Sequence, residues 1–90
     1  MGNEKLNHLN SLIAMCTKIQ NELLSEGRNV HNDYVIVNLF NLVKDFPGIS
    51  SEQLQMAYSK LMKASYAQTH LYIDLTVGGG LKRFEAKRLF

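Results

Sequence analysis

The chain has 90 residues, 46 % of them hydrophobic and 20 % charged, with a formal net charge of +2. These proportions predict one globular domain, 1–90, and exclude a disordered chain. The single cysteine excludes an internal disulfide, so a partner subunit is the expected source of extra stability. The apolar stretches are far shorter than the roughly 20 residues of a membrane span, and no secretion signal is recognised at the N-terminus. We therefore expect a cytoplasmic protein without membrane contact.

Charge is divided unevenly along the chain. Residues 1–58 contain four cationic and six acidic side chains, whereas residues 59–90 contain six cationic and two acidic ones. A basic C-terminal third indicates a surface that meets something acidic. A solvated surface on a slightly basic protein explains the same numbers, so the charge leaves both interpretations open.

The first segment, residues 3–26, has the spacing of a long helix. Five of its apolar residues recur at intervals of 3 and 4, as in the seam of a coiled coil. The seam consists of Leu9, Leu12, Cys16, Ile19 and Leu23. It predicts either a contact with a second copy of the chain, which we favour slightly because the chain is small, or packing on the chain's own core.

Residues 32–66 predict two helices joined by a short turn. Asn32 or Asp33 can cap the first helix, which is apolar on most sides, as in a central helix. A Pro-Gly pair then breaks the chain. Ser50 and Gln53 follow with the spacing of a capping box, which predicts the start of an amphipathic helix.

Residues 69–90 change to the period of a β-strand. Apolar and polar residues alternate from His70 to Val77, three glycines follow, and residues 81–90 can return as the second strand of a hairpin. These residues are also rich in helix formers, but the first strand needs a partner for its backbone groups. We predict an α+β, mostly helical fold of three helices followed by a C-terminal β-hairpin, with an all-α bundle ending in a C-terminal helix as the alternative.

The sequence gives little support to catalysis. The three histidines lie on separate segments, without the spacing of zinc sites. Cys16 falls on the apolar seam, where a small buried side chain is more expected than a nucleophile. The glycines at 78–80 lack the pattern of phosphate-binding loops. We therefore expect no enzyme, no metal and no cofactor.

The order of elements over residues 32–90 resembles that of winged helix-turn-helix DNA-binding domains. It has a helix, a turn containing glycine, a second helix and a β-hairpin. The likeness is one of architecture, since no residue-specific signature is matched. It implies that the helix over 51–66 reads DNA and that residues 78–83 form the wing. Glu52 departs from the pattern, because a carboxylate near the start of the reading helix would repel phosphate.

On this resemblance, basic residues would bind phosphates and polar residues would reach base edges. The predicted DNA-binding residues are Gln53, Gln55, Ser59, Lys60, Lys63, Lys82, Arg83, Lys87 and Arg88. A solvated helix face and an edge strand protected by charge explain the same residues without DNA. Our first hypothesis is a homodimeric transcriptional regulator on double-stranded DNA. The second is a small protein-interaction module, such as an inhibitor, adaptor or immunity-type protein, that docks on an acidic partner surface.

Overall fold

A computed structural model describes residues 2–29, 32–67 and 69–89. Within these ranges, three helices precede one antiparallel hairpin. The elements are α1 (Gly2–Ser25), α2 (Tyr34–Asp45), α3 (Ser51–Ala64), β1 (Leu71–Val77) and β2 (Gly80–Ala86). The predicted α+β, mostly helical fold class is confirmed. The alternative of a C-terminal helix is wrong, because residues 80–86 pair with β1 as a strand.

α1 packs its seam against the rest of its own chain. Leu12, Cys16 and Leu23 are each 1 % exposed and Ile19 is 6 % exposed, while Leu9 is half-buried against the same core. This burial supports the alternative interpretation, in which the seam packs on the chain's own core. The dimer contact through Leu9, Leu12, Cys16, Ile19 and Leu23 stays a prediction.

α2 is the central helix that its composition predicts. The Asp33 carboxylate caps it by accepting hydrogen bonds from the N–H groups of Val35 and Ile36, at 2.9 and 3.1 Å. Arg28 ion-pairs with the same carboxylate and also donates to the hydroxyl of Ser65 at 3.0 Å. The segment before α2 is therefore tied to the end of α3 as well as to the α2 N-terminus.

α3 begins at the predicted capping box. The Ser50 hydroxyl accepts from the Gln53 N–H at 3.1 Å, and the Gln53 side chain accepts from the Ser50 N–H at 3.0 Å. Leu54, Ala57 and Leu61 form its buried face, each with no exposed surface. Helical structure ends at Ala64, slightly before the predicted end.

The hairpin covers the core with one face and leaves the other to solvent. Ile73, opposite Phe84, and Leu75 are buried, whereas Asp74, opposite Arg83, is exposed. The alternation predicted from the sequence is therefore confirmed. No helix within the described ranges has the length and apolar character needed to span a bilayer.

Candidate functional site

The candidate metal-binding and nucleophilic groups are the histidines, the carboxylates and Cys16. In the part of the chain that the structure describes, no three His, Cys, Asp or Glu side chains come close enough to hold a metal ion. Burial raises the pKa of the Cys16 thiol to about 11, so the thiol is protonated and unreactive at neutral pH. A ring nitrogen of His8 lies 2.6 Å from the Ile49 carbonyl oxygen, and His31 is outside the described residues.

The amide of Gln53 is bonded at both ends within the chain. Its side-chain oxygen accepts from the Ser50 N–H at 3.0 Å, and its nitrogen donates to the Thr76 carbonyl at 3.1 Å. Gln53 therefore connects the start of α3 with β1, and its role in DNA binding, which would require breaking these bonds, stays a prediction.

The other predicted DNA-binding residues of α3 point in different directions. Gln55 lines a groove with Lys18 and Glu22 of α1. Lys60 lies on the side of the hairpin, close enough to Asp74 to help lower the pKa of that carboxyl. Ser59 and Lys63 are exposed on the side opposite the buried residues, where they share the surface with Glu52 and Met56. Gln55, Ser59 and Lys63 follow one another at intervals of four residues on the exposed side of α3, and their role in DNA binding stays a prediction.

Arg83, on the outer face of the hairpin, is already paired within the chain. Its Nε lies 2.9 Å from Asp74 Oδ1, and its guanidinium lies 5.4 Å from the centre of the Tyr72 ring. The hydrogen bond from Arg83 is the main cause that lowers the pKa of Asp74, and it raises the pKa of Arg83. The outer face of the hairpin is therefore of mixed charge.

The remaining cations of the C-terminal segment differ in their position relative to Arg83. Lys82 belongs to the opposite face of the strand from Arg83. Lys87 borders the same cleft beside α2 as Arg83, together with Asp45 and Glu85. Arg88 is exposed beyond the end of β2. The alternation of the strand therefore separates Lys82 from Arg83, whereas Lys87 stays near Arg83 on a surface of mixed charge.

An apolar groove lies between the first half of α1 and α2, and the sequence analysis missed it. Leu6 is 54 % exposed and Ile13 is 40 % exposed, although both are large apolar residues. We call this surface the α1–α2 groove and define it by Leu6, Leu9, Ile13, Phe40 and Pro47. It consists of two adjoining depressions of about 700 and 470 Å³, which share Leu9 and Pro47.

A second apolar stripe on α1 is the signal that could have revealed the groove. Leu6, Leu9 and Ile13 are spaced by 3 and 4 residues, and this stripe shares Leu9 with the buried seam. One helix cannot turn both stripes toward the same core, so one of them stays exposed. Sequence alone does not show which stripe the core takes.

A lysine side chain lines each of the two depressions of the α1–α2 groove. Lys5 lines the depression near the α1 N-terminus, beside Glu4, and Lys44 lines the one near the end of α2. Both lysines are exposed, and neither forms an ion pair with a residue that the structure describes.

Comparison with models of protein families, with curated proteins and with solved structures finds no match to this chain.

Proposed function

We propose that this chain is a protein-interaction module that binds an amphipathic helix of a partner protein in the α1–α2 groove. The supporting observation is that Leu6 and Ile13 are exposed beside Phe40 and Pro47. Single exposed leucines are ordinary, but a contiguous apolar groove with polar margins is typical of a binding site. An apolar stripe on a helix fits such a groove, because side chains three to four residues apart share one face of a helix.

The charges beside the groove indicate the chemistry of the partner. Lys5 lines one depression and Lys44 lines the other, and neither forms an ion pair with a described residue. Carboxylates flanking the apolar stripe of the partner helix would meet these ammonium groups, which favours association in the correct orientation. Glu4 reduces this preference at the α1 end, so we expect the pairing with Lys44 to contribute more.

DNA binding receives less support from the same coordinates. Phosphate binding needs cations free to displace counterions, whereas Arg83 is paired with Asp74. Base reading needs free polar side chains on α3, whereas both ends of the Gln53 amide are engaged. The order of elements still favours DNA binding, so duplex DNA is one of the ligands to be tested.

The direct test is a synthetic helix of about 18 residues, or five turns, with leucines in one stripe and glutamates on both flanks. Its binding is followed by fluorescence anisotropy and by amide chemical shifts of the labelled protein. We expect the largest shifts at Leu6, Ile13 and Phe40. A matched peptide with lysine flanks should bind more weakly and lose less affinity when salt is added.

Three variants separate binding in the groove from non-specific hydrophobic association. Leu6→Asp and Ile13→Asp should each weaken binding by roughly tenfold or more, since each places a charge where an apolar contact is expected. Leu24→Asp is the matched control, because Leu24 is 39 % exposed on the same helix outside the groove. Equal loss in all three variants, or no shifts in the groove, contradicts the proposal.

Duplex DNA is the competing ligand in the same assay. Salt-dependent binding of mixed-sequence duplex, with shifts on α3 and the hairpin and none in the groove, would support the regulator hypothesis instead. Lys60→Glu and Lys63→Glu should weaken that binding, whereas Leu6→Asp should leave it unchanged.

A further inference from the structure

One edge of β2 has no neighbouring strand in the described chain. The other edge pairs with β1 in antiparallel register. Gly78 and Gly79 both have positive φ, at 61° and 81°, as in the type I′ turn of a two-residue hairpin. Val77 and Gly80 are therefore the hydrogen-bonded closing pair, and hydrogen-bonded and non-hydrogen-bonded pairs alternate from there.

The alternation decides which backbone groups of β2 point away from β1. They belong to Leu81, Arg83 and Glu85 and, beyond the end of the strand, to Lys87. Lys87 supports this assignment. Its N–H donates to Asn38 Oδ1 at 2.9 Å, and its carbonyl accepts from Asn38 Nδ2 at 3.1 Å. The Asn38 side chain thus satisfies the Lys87 backbone groups that a neighbouring strand would otherwise bond, so no further strand can pair at Lys87.

The rest of the edge is open. Its backbone groups at Arg83 and Glu85 form no bond to a described residue outside the hairpin. Both residues border a cleft of about 360 Å³ whose opposite wall is a polar stripe of α2, formed by Asn41, Lys44 and Asp45. α2 therefore lies beside the edge without covering it. An open strand edge of this kind is a template for pairing with another strand.

We propose that this edge pairs with the same edge of a second copy, antiparallel and with the two-fold axis at Phe84. The product is a continuous four-stranded sheet. In this register Arg83 of each copy lies opposite Glu85 of the other, and both side chains are on the outer face. Each of these cross-strand pairs joins opposite charges, which stabilises a strand pair. The row across the sheet then alternates from Asp74 to Arg83 to Glu85 of the second copy.

Neighbouring registers place like charges opposite each other. With the axis at Arg83, Glu85 or Lys82, that residue lies directly opposite the same residue of the second copy. Like charges directly opposite destabilise a strand pair. Phe84 is the centre within residues 82–85 that avoids them. This dimer does not use the buried seam of α1, and it pairs strands rather than filling the α1–α2 groove, although Asn41 and Lys44 line both the groove and the cleft beside β2.

Sedimentation of the unmodified 90-residue chain over a concentration series tests the dimer. Glu85→Arg should weaken it by roughly tenfold or more, because two attractive pairs become repulsive. This variant leaves the Asp74–Arg83 pair of each chain intact. The triple variant Asp74→Arg, Arg83→Glu, Glu85→Arg inverts the whole row and should restore the dimer.

A contact between copies provides the structural test. In a mixed sample of labelled and unlabelled chains, we expect a nuclear Overhauser effect between the Cα protons of Lys82 and of Ala86 in the partner copy. These residues form a non-hydrogen-bonded pair, with their Cα atoms about 4.5 Å apart. A monomer at every concentration overturns the proposal. So does a dimer that Glu85→Arg leaves unchanged while the shifts of β1 are native, or a dimer that Leu6→Asp dissolves instead.

Discussion

The side-chain amide of Asn38 forms hydrogen bonds with both the N–H and the carbonyl of Lys87, although the two residues are 49 positions apart. Asn38 also donates to the Tyr34 carbonyl at 2.8 Å, and its side chain has no exposed surface. A buried amide is tolerated only when its polar atoms are bonded, and these bonds connect α2 with the end of β2. This single side chain fastens the hairpin to the helical core.

Removing the Asn38 amide should destabilise the fold. Asn38→Ala leaves the N–H and carbonyl of Lys87 without their partner, and we expect the free energy of unfolding to fall by about 2 kcal/mol. Urea unfolding followed by circular dichroism measures it. Asn41→Ala is the control, since Asn41 lines the neighbouring cleft on the same helix, and it should cost less than about 0.5 kcal/mol. Equal losses in both variants would contradict the role assigned to Asn38.

Substitutions at Gly78, in the turn between the strands, can raise or lower the stability of the fold. Its φ is 61°, and an added Cβ would meet no atom within 4 Å, so only the backbone conformation matters. Gly78→Asn should stabilise the chain by about 0.5 kcal/mol, because asparagine tolerates this conformation and restricts the unfolded chain. Gly78→Val should destabilise it by about 1–2 kcal/mol. Thermal unfolding of both variants tests the opposite signs, and a shift in the same direction would contradict the turn assignment.

Cys16 should report on global unfolding. Burial leaves its side chain 1 % exposed and raises the pKa of its thiol to about 11. Ellman's reagent at pH 8 should therefore modify the native chain slowly, at a rate set by transient opening of the core. The rate should rise in parallel with the unfolded fraction as urea is added. Fast modification without urea would show that α1 separates from α2 easily.

The Asp74–Arg83 pair gives part of the stability a defined pH dependence. Hydrogen bonding to Arg83 lowers the pKa of Asp74 in the folded chain, so the unfolded chain binds a proton first as the pH falls. The contribution is present above the ordinary Asp pKa of about 4 and is lost as the pH falls through the lower folded value. Carboxyl chemical shifts across an acid titration measure this.

Asp74→Asn should remove that part of the acid dependence and leave the rest. Because both side chains are more than half exposed, the effect should be small and should shrink further in about 1 M salt, where the Debye length is about 3 Å. An unchanged acid profile in Asp74→Asn, at low salt, would show that the pair does not contribute.

The helices and their boundaries follow from local signals. The Ser50–Gln53 capping box acts through groups three residues apart, and Gly27, which follows α1, has a positive φ of 92°, as is common for a glycine at the end of a helix. The alternation over 71–77 likewise predicts which face of β1 is buried. Such signals depend on near neighbours along the chain, which is why the sequence by itself determined the order of elements and most of their ends.

Tertiary contacts decided the features on which the proposed function depends. Residues 81–86 contain strong helix formers, yet pairing with β1 makes them a strand. Either apolar stripe of α1 could have faced the core, and α2 covers the one through Leu12 and Leu23, so Leu6 and Ile13 remain exposed. In the sequence Gln53 and Arg83 are polar groups without an evident partner. In the structure Gln53 donates to the Thr76 carbonyl and Arg83 donates to the Asp74 carboxylate. The physical reason is that burial and pairing are set by groups distant in sequence, and no local pattern contains their positions.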